Sequence, residues 1–448
     1  MEATVFLVLF LTIRWIKKHS VADAAIDVFL PVFLLIPGFY EFRAPHLPSL
    51  SFADCALIPI TATLVFRHWR EWKFRRADLW VTLFFLGSAC TELLNSDVGT
   101  AGLLFCKTIT EGFMPYILGR LLLDQENVRE RFLRRFAYIV FFVAVVSVWE
   151  FRMGKNLFLT LEGMVLGAHS FAFLVRDGHV RVVGPFVDSI MAGTMFATAC
   201  IFSIWLAVVQ KSRGEERKFL GIKRSTILTI GLAGGIMMAN SRGPMLGAAL
   251  AFIITRIGLS KNVGRAAVVY LSLLTVVGTA GYIRTVQYTQ GSIYDAKDRA
   301  QEDAIYRRVL LDEYKPYVAA GGLFGYGVVN RPVVPGMFSI DNAYLNIELV
   351  QGKLGLWTFV LVGGESILAC ALAARRSRQR NDLAFALCLA GVIAGIMATI
   401  TTVWLGYPIY PLFFMLAGWS QSLRQTETVT ATVVAPANAR FAFRRVIA

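Results

Sequence analysis

Long apolar runs separated by short polar segments are the dominant pattern along the chain. A helix needs about 20 mostly apolar residues to cross about 30 Å of hydrocarbon, and no alternating strand pattern competes with these runs. The pattern therefore predicts membrane-spanning helices at residues 3–14, 24–41, 50–66, 79–94, 100–122, 136–151, 188–210, 224–240, 244–258, 265–283, 353–374, 383–401 and 404–421.

Composition indicates the same fold class. Of the 448 residues, 56% are hydrophobic and only 17% are charged, whereas about 25% of the residues of a typical soluble domain are charged. We therefore expect an all-α, polytopic transmembrane bundle of about 12–13 spans over residues 1–424, with no separate soluble domain. For residues 425–448, which are rich in Thr, Ala and Val, we expect a disordered cytoplasmic tail.

The basic residues predict the orientation of the bundle. The formal net charge is +15, but its location in short loops between apolar runs argues against a nucleic-acid partner. Five basic loops, at 67–76, 129–135, 211–224, 256–265 and 375–380, fall on one side when the spans alternate. Because cytoplasmic loops are enriched in Lys and Arg, we predict that this side is cytoplasmic.

Two longer loops, about 152–187 and about 284–342, are then extracytoplasmic. In the first loop, Asp177 and Gly178 separate two short alternating runs, which is a strong signal for a two-residue hairpin. The second loop mixes basic and acidic residues, which is typical of a folded helical cap and not of a basic arm. An active site built from these loops would face outward.

The cysteines and histidines predict no metal and no cofactor. All six cysteines lie within apolar segments and lack metal-ligand spacing, so we expect buried cysteines without disulfides. His169 and His179 lie in the first long loop without partners at ligand spacing.

Arg242, in the sequence NSRGPMLG, is the first candidate for function. It lies at the outer end of a predicted span, where we expect Gly243 to break the helix and Pro244 to fit the first turn of the next helix. A helix N-terminus disfavours a cation by roughly 0.3–1 kcal/mol, unless an anion binds both the cation and the free N–H groups. The pattern fits an anion site and an interfacial arginine that reaches lipid headgroups equally well.

Carboxylates follow in the segment DNAYLNIELVQGKLG, which turns helical from Asp341. We predict that Asp341 is the N-cap of this helix and that Glu348, one to two turns further on, is a second carboxylate over the same site. Within another span, Lys107 and Glu111 stand four residues apart, with Arg120 near the cytoplasmic end. We expect an ion pair between Lys107 and Glu111 that holds helices together.

These motifs together resemble the O-antigen ligase and O-antigen polymerase family of bacterial polysaccharide enzymes. The resemblance rests on SRGP at Arg242, the later GLFGYG turn and the DNAYLNIELVQGKLG segment. RVVGPFVDSIMAG, from Arg181, and TEGFMPYILGR, from Thr110, resemble further segments of the family. In the ligase pattern a His is followed by Asn, nine residues, Gly, two residues and Gly. Asn342, Gly352 and Gly355 keep that spacing, but Asp341 stands in the place of the His, which favours a polymerase.

The resemblance implies a glycosyltransferase of the bacterial inner membrane, with its active site facing the periplasm or exterior. Because nucleotide sugars are cytoplasmic, its donor would be a lipid-linked glycan, in this family usually on undecaprenyl pyrophosphate. The reaction would be a direct, inverting displacement that requires no metal. Other expected partners are membrane lipids and other polysaccharide-assembly proteins.

The resemblance also implies roles for individual residues. The residues expected to bind the pyrophosphate and stabilise its charge are Arg181, Arg242, Arg307 and Arg308. The residues expected to act in catalysis are Arg242 with Asp341 or Glu348, the carboxylate accepting the proton of the attacking hydroxyl. Further candidates for substrate contact are Asn342, Tyr344 and Arg331.

Three alternatives stay open at this point. A ligase of the same family would transfer a finished glycan to lipid A core or to protein. A transporter of lipid-linked glycans would have ionisable residues near mid-membrane and paired interrupted helices in an internal repeat, and no convincing repeat is present. A scaffold within a synthesis complex would leave the outer arginines without an anion.

Overall fold

The chain forms a helical bundle, and the computed structural model describes residues 4–68, 70, 72–125, 127–167, 175–176, 178–337 and 339–433. The helices are α1 (Val5–Lys18), α2 (Val21–Ala24), α3 (Leu30–Leu35), α4 (Phe52–His68), α5 (Arg76–Asn95), α6 (Val98–Thr108), α7 (Met114–Leu121), α8 (Val128–Met153), α9 (Leu157–Leu166), α10 (Ser189–Ser212), α11 (Arg224–Met238), α12 (Arg242–Leu259), α13 (Val263–Tyr288), α14 (Arg299–Gly321), α15 (Ala343–Arg376), α16 (Arg380–Thr399) and α17 (Ile409–Val433). Antiparallel hairpins pair β1 (Glu41–Phe42) with β2 (Leu50–Ser51), β3 (Val175–Arg176) with β4 (His179–Val180), and β5 (Lys218–Phe219) with β6 (Ile222–Lys223).

Each predicted span overlaps a helix or an unbroken helical run. The spans 24–41 and 404–421 were too long, because α3 ends at Leu35 and α17 begins at Ile409. Two runs contain a π-helical turn: Ala25–Phe29 joins α2 to α3, and Ile109–Phe113 joins α6 to α7. Short 3₁₀ helices lie at Ile293–Asp295 and Ile400–Thr402. The all-α, polytopic fold class is confirmed, since seven helices within the described residues are long and apolar enough to cross a membrane. The other predicted spans are not among these seven helices, so the total of 12–13 stays a prediction.

The polar ends of the helices gather at two opposite ends of the bundle. We name the end with the two long loops, 152–187 and 284–342, the loop face, and the end with the five basic loops the basic face. At the basic face, Arg129 pairs with Asp382 at 2.7 Å, and Arg380 donates to the Leu259 carbonyl at 2.9 Å. These contacts bring the basic loops together, as the alternation of spans predicts.

At the loop face, the two long loops meet each other. Arg176 in the first pairs with Asp303 in the second at 2.8 Å, and α14 makes the second loop mainly helical, as predicted. The β3–β4 hairpin in the first loop is also confirmed, with Gly178 at a positive φ of 74° in its turn. Asp177, the other predicted turn residue, and His169 lie outside the described residues.

Small residues let α12 approach α16 closely, and this contact fixes the end of α12 that carries Arg242. A Cβ added at Gly247 would lie 2.5 Å from the Gly395 carbonyl oxygen, and one added at Gly243 would lie 2.3 Å from Thr402 Oγ1. Small residues at such crossings allow backbones to meet within a membrane. Our expectation that Gly243 breaks the helix was wrong, because it lies inside the first turn of α12 and is needed for this packing.

Three smaller expectations have different outcomes. The Lys107–Glu111 pair forms at 3.8 Å, and Lys107 also reaches Glu41 at 3.3 Å. The cysteines are all unbridged, but Cys90 and Cys106 are exposed on the surface of the bundle, where lipid and not protein surrounds an apolar side chain. α17 continues past residue 424, where we expected the tail to begin, and residues 434–448 lie outside the described residues.

Candidate functional site

A cleft of about 540 Å³ opens at the loop face, where the two long loops meet the ends of α10, α12 and α16. The basic residues that line it are Arg176, Arg181, Arg242, Arg299 and Arg307, and the acidic residues are Asp188, Asp303 and Asp341. Of the residues predicted from the sequence, the structure thus brings Arg181, Arg242, Arg307 and Asp341 into one cleft, although they come from four separate segments.

Arg181 is held by hydrogen bonds to neutral partners. Its guanidinium donates to the Ser241 hydroxyl and, at 3.5 Å, to the Ala239 carbonyl. Burial lowers the pKa of Arg181, and the nearby cations Arg176 and Arg307 lower that pKa further. An anion bound in the cleft would oppose both effects, because it favours the charged guanidinium.

The N-terminus of α12 is open toward the same cleft. Its N-cap residue, Ser241, makes no side-chain cap hydrogen bond, since its hydroxyl accepts from Arg181 instead. Arg242 is the first helical residue, and no acidic residue lies in the first turn. The free N–H groups of this turn and the helix dipole therefore favour an anion beside Arg242.

Two of the three carboxylates in the cleft already have structural partners. Asp303 pairs with Arg176, and Asp188 is the N-cap of α10, where it accepts from the Ile190 N–H at 2.5 Å. By contrast, Arg242, Arg299 and Arg307 form no ion pair within the described part of the chain. The cleft therefore presents cations that are not neutralised by the protein, which is the arrangement that binds phosphate-like anions.

Asp341 is the third carboxylate, and its predicted role as an N-cap was wrong. Asn342 is the N-cap of α15, because its side chain accepts from the Leu345 N–H at 3.1 Å. Asp341 instead accepts from the Ser339 hydroxyl at 2.5 Å. Tyr306 fixes that serine from α14, donating to its carbonyl at 2.8 Å and accepting from its N–H at 3.2 Å. This arrangement leaves Asp341 in the cleft wall and not in the helix cap.

The remaining arginines of the prediction point elsewhere. Arg308 donates to the Gly291 carbonyl at 2.7 Å, although Arg307 beside it lines the cleft. Arg331 donates to the Asn346 side chain at 2.7 Å. Neither Arg308 nor Arg331 is among the residues that line the cleft.

The remaining predicted residues of α15 also lie outside the cleft wall. Asn342 caps the helix, the Tyr344 hydroxyl donates to the Met397 carbonyl at 2.9 Å, and Glu348 is half-buried further along the helix. These contacts give Asn342 and Tyr344 structural roles in the fold.

The two glycine motifs of the sequence interlock. α15 is kinked at Gly352, whose φ of 66° and ψ of −165° are not helical. The GLFGYG turn fills this kink: the N–H groups of Tyr326 and Gly327 donate to the Leu349 and Val350 carbonyls, both at 2.9 Å. The turn can only approach because position 352 has no side chain, since a Cβ there would lie 2.3 Å from the Leu323 carbonyl oxygen. Both motifs thus anchor the loop that carries Asp341.

Sequence reasoning missed three residues of the cleft that a helical projection could have found. Arg299, Asp303 and Tyr306 stand at intervals of four and three residues on α14, and they line the cleft together with the predicted Arg307. Such spacing places side chains on one helix face. The spacing is visible in RAQEDAIYRR, but the sequence does not show toward which part of the protein that helix face points.

Within the described residues, no group of three or more His, Cys, Asp or Glu side chains is placed to hold a metal ion. The site and fold together define a polytopic membrane protein with an arginine-rich cleft at one end of its bundle. No protein-family model and no curated protein sequence matches the chain. The family resemblance seen in the sequence motifs therefore stays a prediction.

Proposed function

We propose that the chain is a membrane glycosyltransferase that polymerises undecaprenyl-pyrophosphate-linked repeat units of a surface or exopolysaccharide on the outer face of the bacterial inner membrane. One observation supports this most strongly. A single cleft contains Arg181, Arg242 and Arg307 together with Asp341. Such a cleft offers cations for a diphosphate and a carboxylate for a proton.

The proposed reaction is a direct displacement at C1 of the donor's reducing-end sugar. A hydroxyl oxygen of the acceptor repeat unit forms the new bond to C1, and the C1–O bond to the diphosphate breaks with its electron pair leaving on the diphosphate. Asp341 takes the proton of the attacking hydroxyl. Arg181, Arg242 and Arg307 stabilise the charge that grows on the leaving group. Because the hydroxyl attacks C1 from the side opposite the diphosphate, the configuration at C1 is inverted.

The loop face would point away from the cytoplasm in this proposal. The basic loops lie at the opposite end of the bundle, and cytoplasmic loops are the ones enriched in Lys and Arg. A cleft on the outer face has no access to nucleotide sugars, so a donor attached to a membrane lipid fits its position. Cysteine labelling from outside intact cells at an exposed loop-face residue, such as position 294, tests this orientation.

Incubation of the purified protein with lipid-linked repeat units, followed by separation of the products by size, tests the activity. A ladder of products is expected of a polymerase. One transfer to an added lipid A core or protein acceptor would identify a ligase instead. If folded protein leaves the substrate unchanged with every acceptor, the glycosyltransferase proposal is wrong.

A further inference from the structure

Glu150 is a buried carboxylate that the proposed reaction does not use. It lies near the end of α8 and is only 3% exposed. Its two oxygens accept from the backbone N–H groups of Val183 at 3.2 Å and Gly184 at 2.9 Å. The Asn156 side chain adds a third donor at 3.1 Å. No cation pairs with Glu150 among the described residues, so backbone and amide donors replace the usual partner of a buried charge.

These hydrogen bonds hold the short segment that follows Arg181. Asn156 also donates to the Gly184 carbonyl at 2.7 Å. Glu150 and Asn156 together therefore hydrogen-bond both the N–H and the carbonyl of Gly184. On the other side, the Val182 N–H donates to the Met238 carbonyl at 3.2 Å. Arg181 is therefore the last residue before a segment that is tied to α8 on one side and to α11 on the other.

The same hydrogen bonds from Glu150 and Asn156 set the position of Arg181 relative to α12. Gly184 has a positive φ of 58°, and a Cβ there would lie 3.1 Å from the Val143 side chain. The backbone thus lies directly against α8 at this point. With the backbone fixed, the Arg181 guanidinium reaches the Ser241 hydroxyl just before Arg242.

We propose that Glu150 is a positioning residue, which holds the 182–184 backbone so that Arg181 stands beside the N-terminus of α12 and both bind the same anion. This inference rests on the anion-binding part of the proposed function. The ligand class is a diphosphate, and Glu150 does not touch it.

An effect of charge alone and a positioning role predict opposite changes in anion affinity for Glu150→Gln. Removing a negative charge near a cleft that binds anions would strengthen anion binding if charge alone mattered. A glutamine, however, presents an NH₂ group where one of the two backbone N–H donors, Val183 or Gly184, needs an acceptor. One hydrogen bond to the 182–184 segment is therefore lost. The positioning role therefore predicts weaker binding despite the more positive site.

Titration of the purified protein with inorganic pyrophosphate, followed by calorimetry, tests this inference in a double-mutant cycle. We expect Arg181→Ala to weaken binding about tenfold, the size of one charge-assisted hydrogen bond, and Glu150→Gln to weaken it by a similar or smaller factor. The double variant should bind no more weakly than Arg181→Ala alone, because Glu150 acts only through that arginine.

Asp97→Asn is the matched control. Asp97 caps α6 by accepting from the Thr100 N–H at 3.0 Å and does not line the cleft. Asparagine caps a helix about as well as aspartate, so this variant removes one negative charge and keeps the local structure. We expect it to bind pyrophosphate as tightly as the unaltered protein or slightly more tightly. Glu150→Asp, which keeps the charge but shortens its reach, replaces the glutamine variant if that variant does not fold.

Several outcomes would overturn the positioning role. It is wrong if Glu150→Gln binds pyrophosphate unchanged or more tightly, or if the losses from Glu150→Gln and Arg181→Ala add in the double variant. Coupled losses in protein that makes no polymer would support the role of Glu150 and count only against the glycosyltransferase proposal. If the unaltered protein binds no pyrophosphate, both the anion site and the role of Glu150 are excluded.

Discussion

Arginines at the two faces of the bundle have opposite environments. At the basic face, Arg120 is 1% exposed, and it donates to Asp78 at 3.5 Å and to the Lys73 carbonyl at 2.9 Å. Its neighbour Tyr116 donates to the same Asp78 oxygen at 2.5 Å. At the loop face, Arg242 is exposed to the cleft and has no carboxylate partner within the described residues.

The comparison separates two uses of the same side chain. A buried arginine must be fully paired, because an uncompensated charge costs several kcal/mol. An arginine that binds a ligand must instead keep its donors available until the ligand arrives. Arg120 and Arg129 at the basic face follow the first rule, since Arg129, whose side chain is only 19% exposed, pairs with Asp124 at 2.5 Å and with Asp382 at 2.7 Å. The cleft arginines Arg242 and Arg307 follow the second.

The largest expected effect is on stability, at Arg120. Arg120→Met keeps the volume of the side chain but leaves Asp78 buried without its cation. We expect the free energy of unfolding to fall by about 3–5 kcal/mol, a large fraction of the about 5–15 kcal/mol that stabilises a typical folded protein. Thermal unfolding in detergent micelles, together with the amount of protein in the membrane, measures this loss.

Arg131→Met is the matched control for this experiment. Arg131 also pairs with an aspartate, but its side chain is 50% exposed, and exposed pairs contribute about 0.2–1 kcal/mol. Equal losses from the two variants would show that burial does not distinguish the arginines of this face.

The second effect is on activity, at Arg242. Removing one preorganised donor to a developing charge typically lowers the rate by about 10²–10³-fold, so we expect Arg242→Ala to lose polymer formation by this factor. Its thermal unfolding should change little, because the side chain is exposed and forms no ion pair with any residue that the structure describes. Rates from the product ladder, compared with the unfolding midpoint of the same sample, measure both. Full activity in Arg242→Ala would favour the scaffold alternative.

The positions of the helices followed from the sequence, but the partners of their arginines did not. Apolar runs long enough to span a membrane predict helices because no water is present to satisfy any other backbone. That rule is local, so each predicted span overlaps a helical run. Whether Arg120 is paired depends on Asp78 and on the Gln421 carbonyl at 3.3 Å, which are distant in sequence.

In the candidate site, too, the sequence did not reveal which partners individual residues have. Asp341 and Asn342 are both good N-cap residues. In the structure Asn342 caps α15, whereas Asp341 accepts from Ser339, a residue that Tyr306 contacts from α14. Glu150 was overlooked for a related reason. A carboxylate at the end of an apolar helix is typical of an interfacial residue, and only the fold brings residues 183 and 184 to it.

Asp341 should show the third effect. We expect Asp341→Asn to lower the rate of polymer formation by about 10²-fold, the lower end for general acid–base catalysis, because diphosphate is a good leaving group and needs less help from a base. Asp312→Asn is the control, since Asp312 lies on α14, pairs with Lys315 at 2.6 Å and does not line the cleft. Equal rates for the two variants would remove Asp341 from the mechanism. Both variants should bind pyrophosphate as tightly as the unaltered protein or slightly more tightly, because each removes one negative charge.

The smallest effect gives the sharpest form of the comparison, because it concerns two adjacent arginines on one helix. Arg307 lines the cleft, whereas Arg308 donates to the Gly291 carbonyl. We expect Arg307→Ala to weaken pyrophosphate binding about tenfold, as for the loss of one charge-assisted hydrogen bond, and Arg308→Ala to weaken it less than twofold. Both variants lower the net charge by one, and both positions lie on the same helix. Calorimetric titration therefore separates the effect of direct contact from the effect of charge.

A similar loss of affinity in both variants would mean that the cleft attracts anions only through its overall electric field. Raised salt would then abolish the loss of affinity, because such a field is screened within about 10 Å at 0.1 M salt. A loss confined to Arg307 that persists in salt requires direct contact, and it would extend the distinction between paired and available arginines from the two faces of the bundle to two neighbouring residues.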